Sequence, residues 1–318
     1  MRAAIIERYG DLPVLRDVPE PKADGATLVE VLAAPLNPVD LSIASGKFYA
    51  GSPPTPYVPG GEGIGRPLQN GRPGPRVYFR AALPNGAFAE RAVAGQGQTV
   101  TIPDGVSDGV AAALGTPGIA AYLALTRRAQ LKAGETVLIL GASGVLGSIA
   151  VQIARLLGAG RIVAGARNEQ GLAHARELGA HATVDLKQPD GLTDRIREAS
   201  GGQLHAVIDP LWGIPGVAAL EALSPFGRLV QLGQAAGPEA VVKSGIVRGR
   251  HLSILGFANF SVPWEEQAAA YRTLIEYAEA GKLKVEVEAL PLEAAPEAWK
   301  LQAASPHRKL TLSPQGRG

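Results

Sequence analysis

The run Gly141-Ala142-Ser143-Gly144-Val145-Leu146-Gly147 places three glycines in seven residues directly behind an apolar stretch, Thr136-Val137-Leu138-Ile139-Leu140. A helical stretch, Leu146 to Leu157, follows it at once. At a strand-to-helix turn, small residues let backbone amides approach a pyrophosphate, and the helix N-terminus offers aligned N–H dipoles. The last glycine lets helix and strand pack closely. The pattern is the looser A-x-G-x-x-G form, with Ala142 where the strict form has glycine and Gly141 in front. Such a run alone describes only a tight turn. Between this strand and this helix it predicts a dinucleotide site at Gly141, Ala142, Ser143, Gly144, Val145, Leu146 and Gly147.

The second strand of such a unit bears on which dinucleotide is bound. It reads Arg161-Ile162-Val163-Ala164-Gly165-Ala166-Arg167-Asn168. An NAD site commonly sets a carboxylate on the adenosine ribose about 20 residues past the glycine turn. Ala166 stands there instead, followed by Arg167. A guanidinium holds a 2′-phosphate through charge-assisted, bidentate hydrogen bonds. The expectation is therefore NADPH, the alternative being that Arg167 is a solvated surface residue.

These residues need a scaffold, and the chain is long enough for two domains of ordinary size: 318 residues, 46% apolar and 19% charged. With 31 Lys and Arg against 29 Asp and Glu, net charge gives no reason to expect a nucleic-acid or membrane partner. The absence of cysteine excludes disulfides, thiolate nucleophiles and every zinc site that needs a cysteine ligand. Met1 to Tyr9 lacks the apolar run of a signal peptide, and no uninterrupted stretch of ~20 apolar residues follows; the expected location is cytoplasmic. Met1 to about Val110 is broken by Gly and Pro into short apolar runs, among them Thr27 to Leu32, Arg76 to Phe79 and Ala89 to Val93. Prolines there forbid long helices, which predicts a compact antiparallel barrel or sandwich.

Beyond Ala111 strand and helix textures alternate. Strands are expected at Thr136 to Leu140, Arg161 to Ala164, Ala206 to Ile208, Arg228 to Leu232 and Leu252 to Leu255. Helices are expected at Ala120 to Leu125, Leu146 to Leu157, Gln170 to Leu178, Val217 to Leu223 and Trp264 to Ala280, with Gly281 as terminator. Alternation of this kind means βαβ units around a parallel sheet. Leu283 to Leu312 returns to mixed strand and short-helix texture.

The chain resembles the medium-chain dehydrogenase/reductase superfamily over nearly its whole length, and most of all its zinc-independent quinone oxidoreductase branch. Asn37-Pro38-Val39-Asp40 followed by Ser45-Gly46, Tyr57 to Gly65, Gly86-Ala87-Phe88-Ala89-Glu90, and Gly141 to Gly147 with Ala150 to Ala154 carry the resemblance. It implies an α/β fold, with a Rossmann-type doubly wound parallel sheet and a GroES-like β-barrel. The implied domains are a substrate domain at 1–114, an NADPH domain at 115–257 and a C-terminal segment, 258–318, returning to the first. Zinc-dependent relatives have Cys at the place of Asn37 and His at the place of Gly61, so both ligands are missing and with them the Lewis acid of alcohol dehydrogenase chemistry. Metal-free hydride transfer from NADPH to an already electrophilic acceptor remains, in the cleft between the domains.

By resemblance, Asn37 lies near the nicotinamide and the substrate, its amide able to donate and to accept; a plain turn residue is the alternative. The family's pocket tyrosine falls at Phe48 here, with Tyr49 one residue later; Tyr49 is either a hydrogen-bond donor to a substrate carbonyl or a packing residue. Asp40 is either a helix N-cap or an acid. Gly233-Gln234 and Gly256-Phe257 end two strands and, by resemblance, surround the nicotinamide with backbone groups. Asp209-Pro210 ends another. The chain departs from the family at Gly118-Ile119-Ala120-Ala121, where a Thr is usual, and at Arg308-Lys309, where Gly-Lys is usual.

His174, His181, His205, His251 and His307 show no metal-ligand spacing and are expected at the surface; Trp212, Trp264 and Trp299 are expected as packing anchors. The resulting expectation is a homodimeric NADPH:quinone oxidoreductase acting on a small molecule. Its rivals are an alkenal or enone double-bond reductase, and a non-catalytic NADPH-binding sensor or scaffold. Leu252 to Leu255 is the candidate dimer edge.

Overall fold

The computed structural model describes residues 1–23 and 25–314; residues 315–318, the end of the expected C-terminal segment, lie outside the described residues. The chain divides into two compact units, one made of Met1–Thr116 with Trp264–Gly318 and the other of Pro117–Pro263.

The first part of unit 1 runs through β1 (Arg2–Ile5), β2 (Val14–Asp17), β3 (Thr27–Pro35), α1 (Pro38–Ala44), β4 (Glu62–Gln69), β5 (Arg72–Pro73), β6 (Val77–Ala81), β7 (Arg91–Thr101) and α2 (Asp108–Ala113). Unit 2 follows with α3 (Ile119–Leu123), β8 (Thr136–Leu140), α4 (Val145–Leu156), β9 (Arg161–Ala166), α5 (Glu169–Glu177), β10 (Ala182–Asp185), α6 (Leu192–Ala199), β11 (Ala206–Asp209), α7 (Gly213–Ala222), β12 (Arg228–Gln231), α8 (Ser244–Gly249) and β13 (Ser253–Gly256). The chain then returns to unit 1 through α9 (Trp264–Glu279), β14 (Val287–Pro291), α10 (Ala295–Ala303) and β15 (Lys309–Ser313).

Of the two solutions open to the Pro-rich N-terminal region, the barrel is the one formed. Strand β3 pairs antiparallel with both β4 and β7, and β6 pairs antiparallel with the same two strands, so the four close into a ring. Closure leaves these strands without free edges. The interior is filled by residues such as Val29, Val31, Phe79 and Phe88, packed against Leu310, Leu312 and Trp299 of the returning segment. Trp299 meets Phe88 edge-on, ring centres 6.1 Å apart. Strand β15 adds antiparallel to the end of β3, pairing Thr311 with Pro35 and Leu312 with Ala34, and β14 lies parallel beside it.

Unit 2 is a six-stranded sheet, every pair parallel, in the order β10-β9-β8-β11-β12-β13. Every residue of β8 and β11 is buried, as central strands covered on both faces must be. One core joins Leu138, Leu140, Val163, Val207 and Leu229 of the sheet to Ile196, Ala219 and Leu220 of α6 and α7. The helical run Asp108–Arg128 is 21 residues long and apolar, and 72% of its apolar window is buried, as in the core helix of a folded domain.

In unit 2 three elements lay outside the expectation, β10, α6 and α8, and in unit 1 the short helices α1 and α2 did. Strand β10 is four residues at the sheet edge, and α6 buries only Leu192 and Ile196. Strand β10 is too short to show a period, whereas α6 does carry a helical one, Leu192 and Ile196 falling at i and i+4.

Candidate active site

In unit 2 the expected nucleotide residues sit on the loops that leave the C-terminal ends of parallel strands. Gly141 follows β8 in the left-handed region, φ +65°, where a side chain is strained. The Gly144 N–H donates to the Gly141 carbonyl at 3.0 Å and closes the turn. A Cβ on Gly147 would stand 2.3 Å from the Gly141 oxygen, so the first turn of α4 is seated directly on the loop. Gly144 is the N-cap of α4, and no side chain caps that end. The free donors of the first turn are thus left for an anion. Beyond the Gly141 oxygen, at 3.4 Å, nothing lies within 4 Å of a Cβ on Gly144. This cradle fits a dinucleotide pyrophosphate.

Strand β9 ends at buried Ala166, and Arg167 is exposed with no ion-pair partner among the described residues. Its neighbour Asn168 is occupied, capping α5 by accepting from the Gly171 N–H at 3.1 Å. Gly233 is held by its own carbonyl, which accepts from Gln231 Nε2 at 2.6 Å, and a Cβ there would lie 2.4 Å from the Pro210 oxygen. Gln234 is exposed. Phe257 is tied back by its N–H to the Gln231 carbonyl at 2.9 Å, next to Gly256, which has open space around it. The turn after β11 is fastened by Asp209, whose Oδ1 accepts from the N–H groups of Leu211 and Trp212, both at 2.8 Å. Burial pushes this carboxyl up from its ordinary value.

In unit 1 the Asn37 turn opens into a buried polar network. Asn37 is the N-cap of α1, so it is a turn residue, and its side chain also enters the network. Asp40 is not the N-cap: it is the third residue of the helix and reaches back, Oδ2 accepting from the Asn37 N–H at 2.8 Å. Asn37 Nδ2 donates to Glu62 Oε1 at 2.8 Å, and its Oδ1 accepts from Lys309 Nζ at 2.5 Å. Glu62 also accepts from the Tyr78 hydroxyl at 2.7 Å and from the Thr116 N–H at 2.8 Å. Lys309 also donates to the Leu36 carbonyl at 2.8 Å.

All of Asn37, Asp40, Glu62, Tyr78 and Lys309 are at most 4% exposed. Burial, helped by the neighbouring Glu62, raises Asp40 to about 7, against the hydrogen bond from Asn37 and the charge of Lys309. Burial lowers Lys309 to about 8, against the two carboxyl groups.

Tyr49 is placed differently. It is 78% exposed, packs on Phe48, 4.6 Å between ring centres, and makes no hydrogen bond among the described residues. The tyrosine that is enclosed is Tyr57, 3% exposed, its hydroxyl without a partner among the described residues. Burial and the charge of Asp40 push that phenol up.

Tyr57 and Glu62 stand in the sequence only as parts of a motif, and Lys309 only as a departure from one. Their convergence on Asn37 and Asp40 joins positions up to 272 apart, which no local pattern can reveal. His205 and His181 also have work in the structure: each Nδ1 accepts a backbone N–H at 3.0 Å, from Thr136 and Ile162, at the start of β8 and β9. Among the described residues no group of three or more His, Cys, Asp or Glu is placed to hold a metal ion.

Comparison with known proteins bears on the family and the fold. A family model described as zinc-binding dehydrogenase matches residues 145–276. The human quinone oxidoreductase is 32% identical over 311 residues, covering 94% of this chain and 92% of that protein. A solved quinone oxidoreductase of Pseudomonas syringae superposes with a TM-score of 0.86 at 27% identity, covering 99% of this chain and 100% of that one. The quinone oxidoreductase of Thermus thermophilus, solved also in complex with NADPH, gives a TM-score of 0.81 at 30% identity, covering 98% and 100%. The chain belongs to the quinone oxidoreductase family, the zinc-independent branch of the medium-chain dehydrogenase/reductase superfamily.

Proposed function

We propose that this protein is an NADPH-dependent quinone oxidoreductase, and that residues 115–257 hold the nucleotide while residues 1–114 and 258–318 form the substrate domain. The observation that carries the reading is the uncapped N-terminus of α4 behind a glycine turn, with Ala166 where an NAD site would keep an acid and Arg167 next to it, without an ion-pair partner among the described residues. Membership of the quinone oxidoreductase family supports the acceptor class.

When bound, NADPH supplies the hydride. The chain's own part is to bind and to orient. Gly141 to Gly147 present backbone donors to the pyrophosphate, and Arg167 pairs with the 2′-phosphate. Gly233, Gln234, Gly256 and Phe257 border the nicotinamide, and Asn37 presents the remaining N–H of its amide on the substrate side. A quinone is electrophilic without a Lewis acid and takes its protons from water, so no residue is required as a proton donor; Tyr49, solvated as it is, contributes aromatic surface.

The same reading includes a cytoplasmic homodimer joined along β13, which among the described residues pairs with β12 on one side only and exposes Ile254 to 41%.

The test follows NADPH and NADH oxidation by absorbance with a benzoquinone and, in parallel, a cyclic enone, for the wild type and Arg167→Ala. Quinone turnover with NADPH is expected, and the substitution should weaken NADPH about tenfold or more while leaving NADH nearly unchanged. Turnover of the enone alone would move the chemistry to double-bond reduction. NADPH binding without turnover of either would make the protein a sensor.

A further inference from the structure

Lys309 is the one ammonium in the buried network of Asn37, Asp40 and Glu62, and it comes from the last strand of the chain. Burying a lysine is costly unless it is paired. Here its donors go to two acceptors, the Leu36 carbonyl and Asn37 Oδ1, at successive residues of the turn into α1. The partner on the other side of the Asn37 amide is Glu62. An amide is a donor at one end and an acceptor at the other; lysine can only donate, and a carboxylate only accept. With Lys309 at Oδ1 and Glu62 at Nδ2, only one orientation of Asn37 is satisfied. Turning the amide over would set N–H against ammonium and C=O against carboxylate.

The rest of the network fixes the two anchors. Glu62 is held by Tyr78 and by the Thr116 N–H, and the Tyr78 ring is stacked on Tyr271 at 4.2 Å. A Cβ on Gly115 would come 2.6 Å from Glu62 Oε2, so it is a glycine that leaves room for the carboxylate at this place. Lys309 is carried by β15, registered against β3 at Thr311–Pro35. Orientation therefore passes from strand to ammonium to amide. One N–H of the Asn37 side chain remains for an incoming group.

We propose that Lys309 is a positioning residue, whose buried ammonium, opposed by Glu62, locks the Asn37 amide in a single orientation and so presets the group it offers to the acceptor. The proposal rests on the quinone oxidoreductase reading for its effect on turnover; its effect on the amide does not depend on that reading.

The test uses the full-length protein with Lys309→Met, which keeps the length of the side chain and removes the donors, and with the double variant Lys309→Met/Glu62→Gln, which also removes the carboxylate left uncompensated. Two quantities are read. The first is the side-chain amide signal of Asn37 in a 15N–1H spectrum, assigned by its disappearance in Asn37→Leu. In the wild type it should exchange slowly with solvent, and in both Lys309 variants at least about tenfold faster. The second is the steady-state split. With benzoquinone, kcat should fall at least about tenfold in both variants, while the NADPH dissociation constant stays within about threefold.

The double variant should recover thermal stability without recovering kcat. Recovery of both together would overturn the proposal, since Lys309 would then serve charge balance alone, and so would an Asn37 amide signal that is unmoved by Lys309→Met. A wild type that reduces no quinone, with the amide behaving as expected, would fail the functional reading and leave the positioning intact.

Discussion

Asp40 shows what it means to bury a carboxyl next to a glutamate. It is 3% exposed, and its neighbours are Glu62, Lys309, the N–H groups of Asn37 and Gly61, and the Tyr57 phenol. Its value in the fold, about 7, stands above the ordinary 3.8. The folded state therefore holds this proton more tightly than the unfolded chain, and the stability so contributed is full below about pH 4 and is lost as pH rises through 7. Asp40→Asn keeps an oxygen for the Asn37 N–H and removes the titration. Urea midpoints measured from pH 4 to 8 should show the wild type losing stability relative to Asp40→Asn across that window; parallel curves would contradict the assignment. Lys309 works in the opposite sense. Depressed from 10.5 to about 8, it disfavours the fold progressively as pH falls from 10.5 through 8. At this scale the sequence was partly legible. The Asn37–Asp40 turn was readable because these two stand in one motif and meet in space, while the role expected of Asn37 came with the family resemblance. Lys309 was not, because the meaning of a buried lysine lies in partners that only the folded strand order supplies.

Among the elements, the glycine turn and α4 were readable almost to the residue, because a strand buried on both faces and a helix seated on it leave two different periodicities in adjacent stretches. The two glycines after Gly141 have different tasks, and this can be measured. Gly147→Ala would press a methyl to 2.3 Å from the Gly141 oxygen, against backbone that cannot yield cheaply; a loss of about 1–3 kcal/mol is expected. Gly144 has φ −86° and ψ 167°, open to any residue, and room for a methyl. Gly144→Ala should melt as the wild type does and bind NADPH more weakly, because the methyl stands where the pyrophosphate must approach. Thermal melts beside fluorescence titration separate the two; equal destabilisation in both variants would count against the division. What was not legible at this scale has a common cause. Strand β10 and helices α6 and α8 are short, four to eight residues each, which leaves few positions in which a pattern can show.

For the whole molecule, the alternation of strand and helix in the middle of the chain and its absence on either side were enough to read two architectures. The closure of β3, β4, β6 and β7 into a ring was not, since register and pairing are relations among distant segments. The two sheets differ in one respect with a consequence for assembly. The ring has no free edge, whereas β13, among the described residues, is open along one side. Sedimentation at micromolar concentration should give a dimer, and Ile254→Lys, which sets a charge on that edge, should shift it to monomer; a wild-type monomer would remove the proposed interface.

Unit 1 is built from two separated stretches of the chain, and β15, the last described strand, joins it at the end of β3. Proteins are made from the N-terminus at about 5–20 residues per second. The roughly 190 residues between Thr116 and Lys309 thus impose a delay of about 10–40 s. Through that interval the Leu36 carbonyl and the Asn37 amide exist without the ammonium that later joins them. Pro117–Pro263 has no such wait, being continuous. On the ribosome the order of assembly therefore departs from the order of the genetic message: the middle is finished first, and the beginning is kept in suspense until the end arrives.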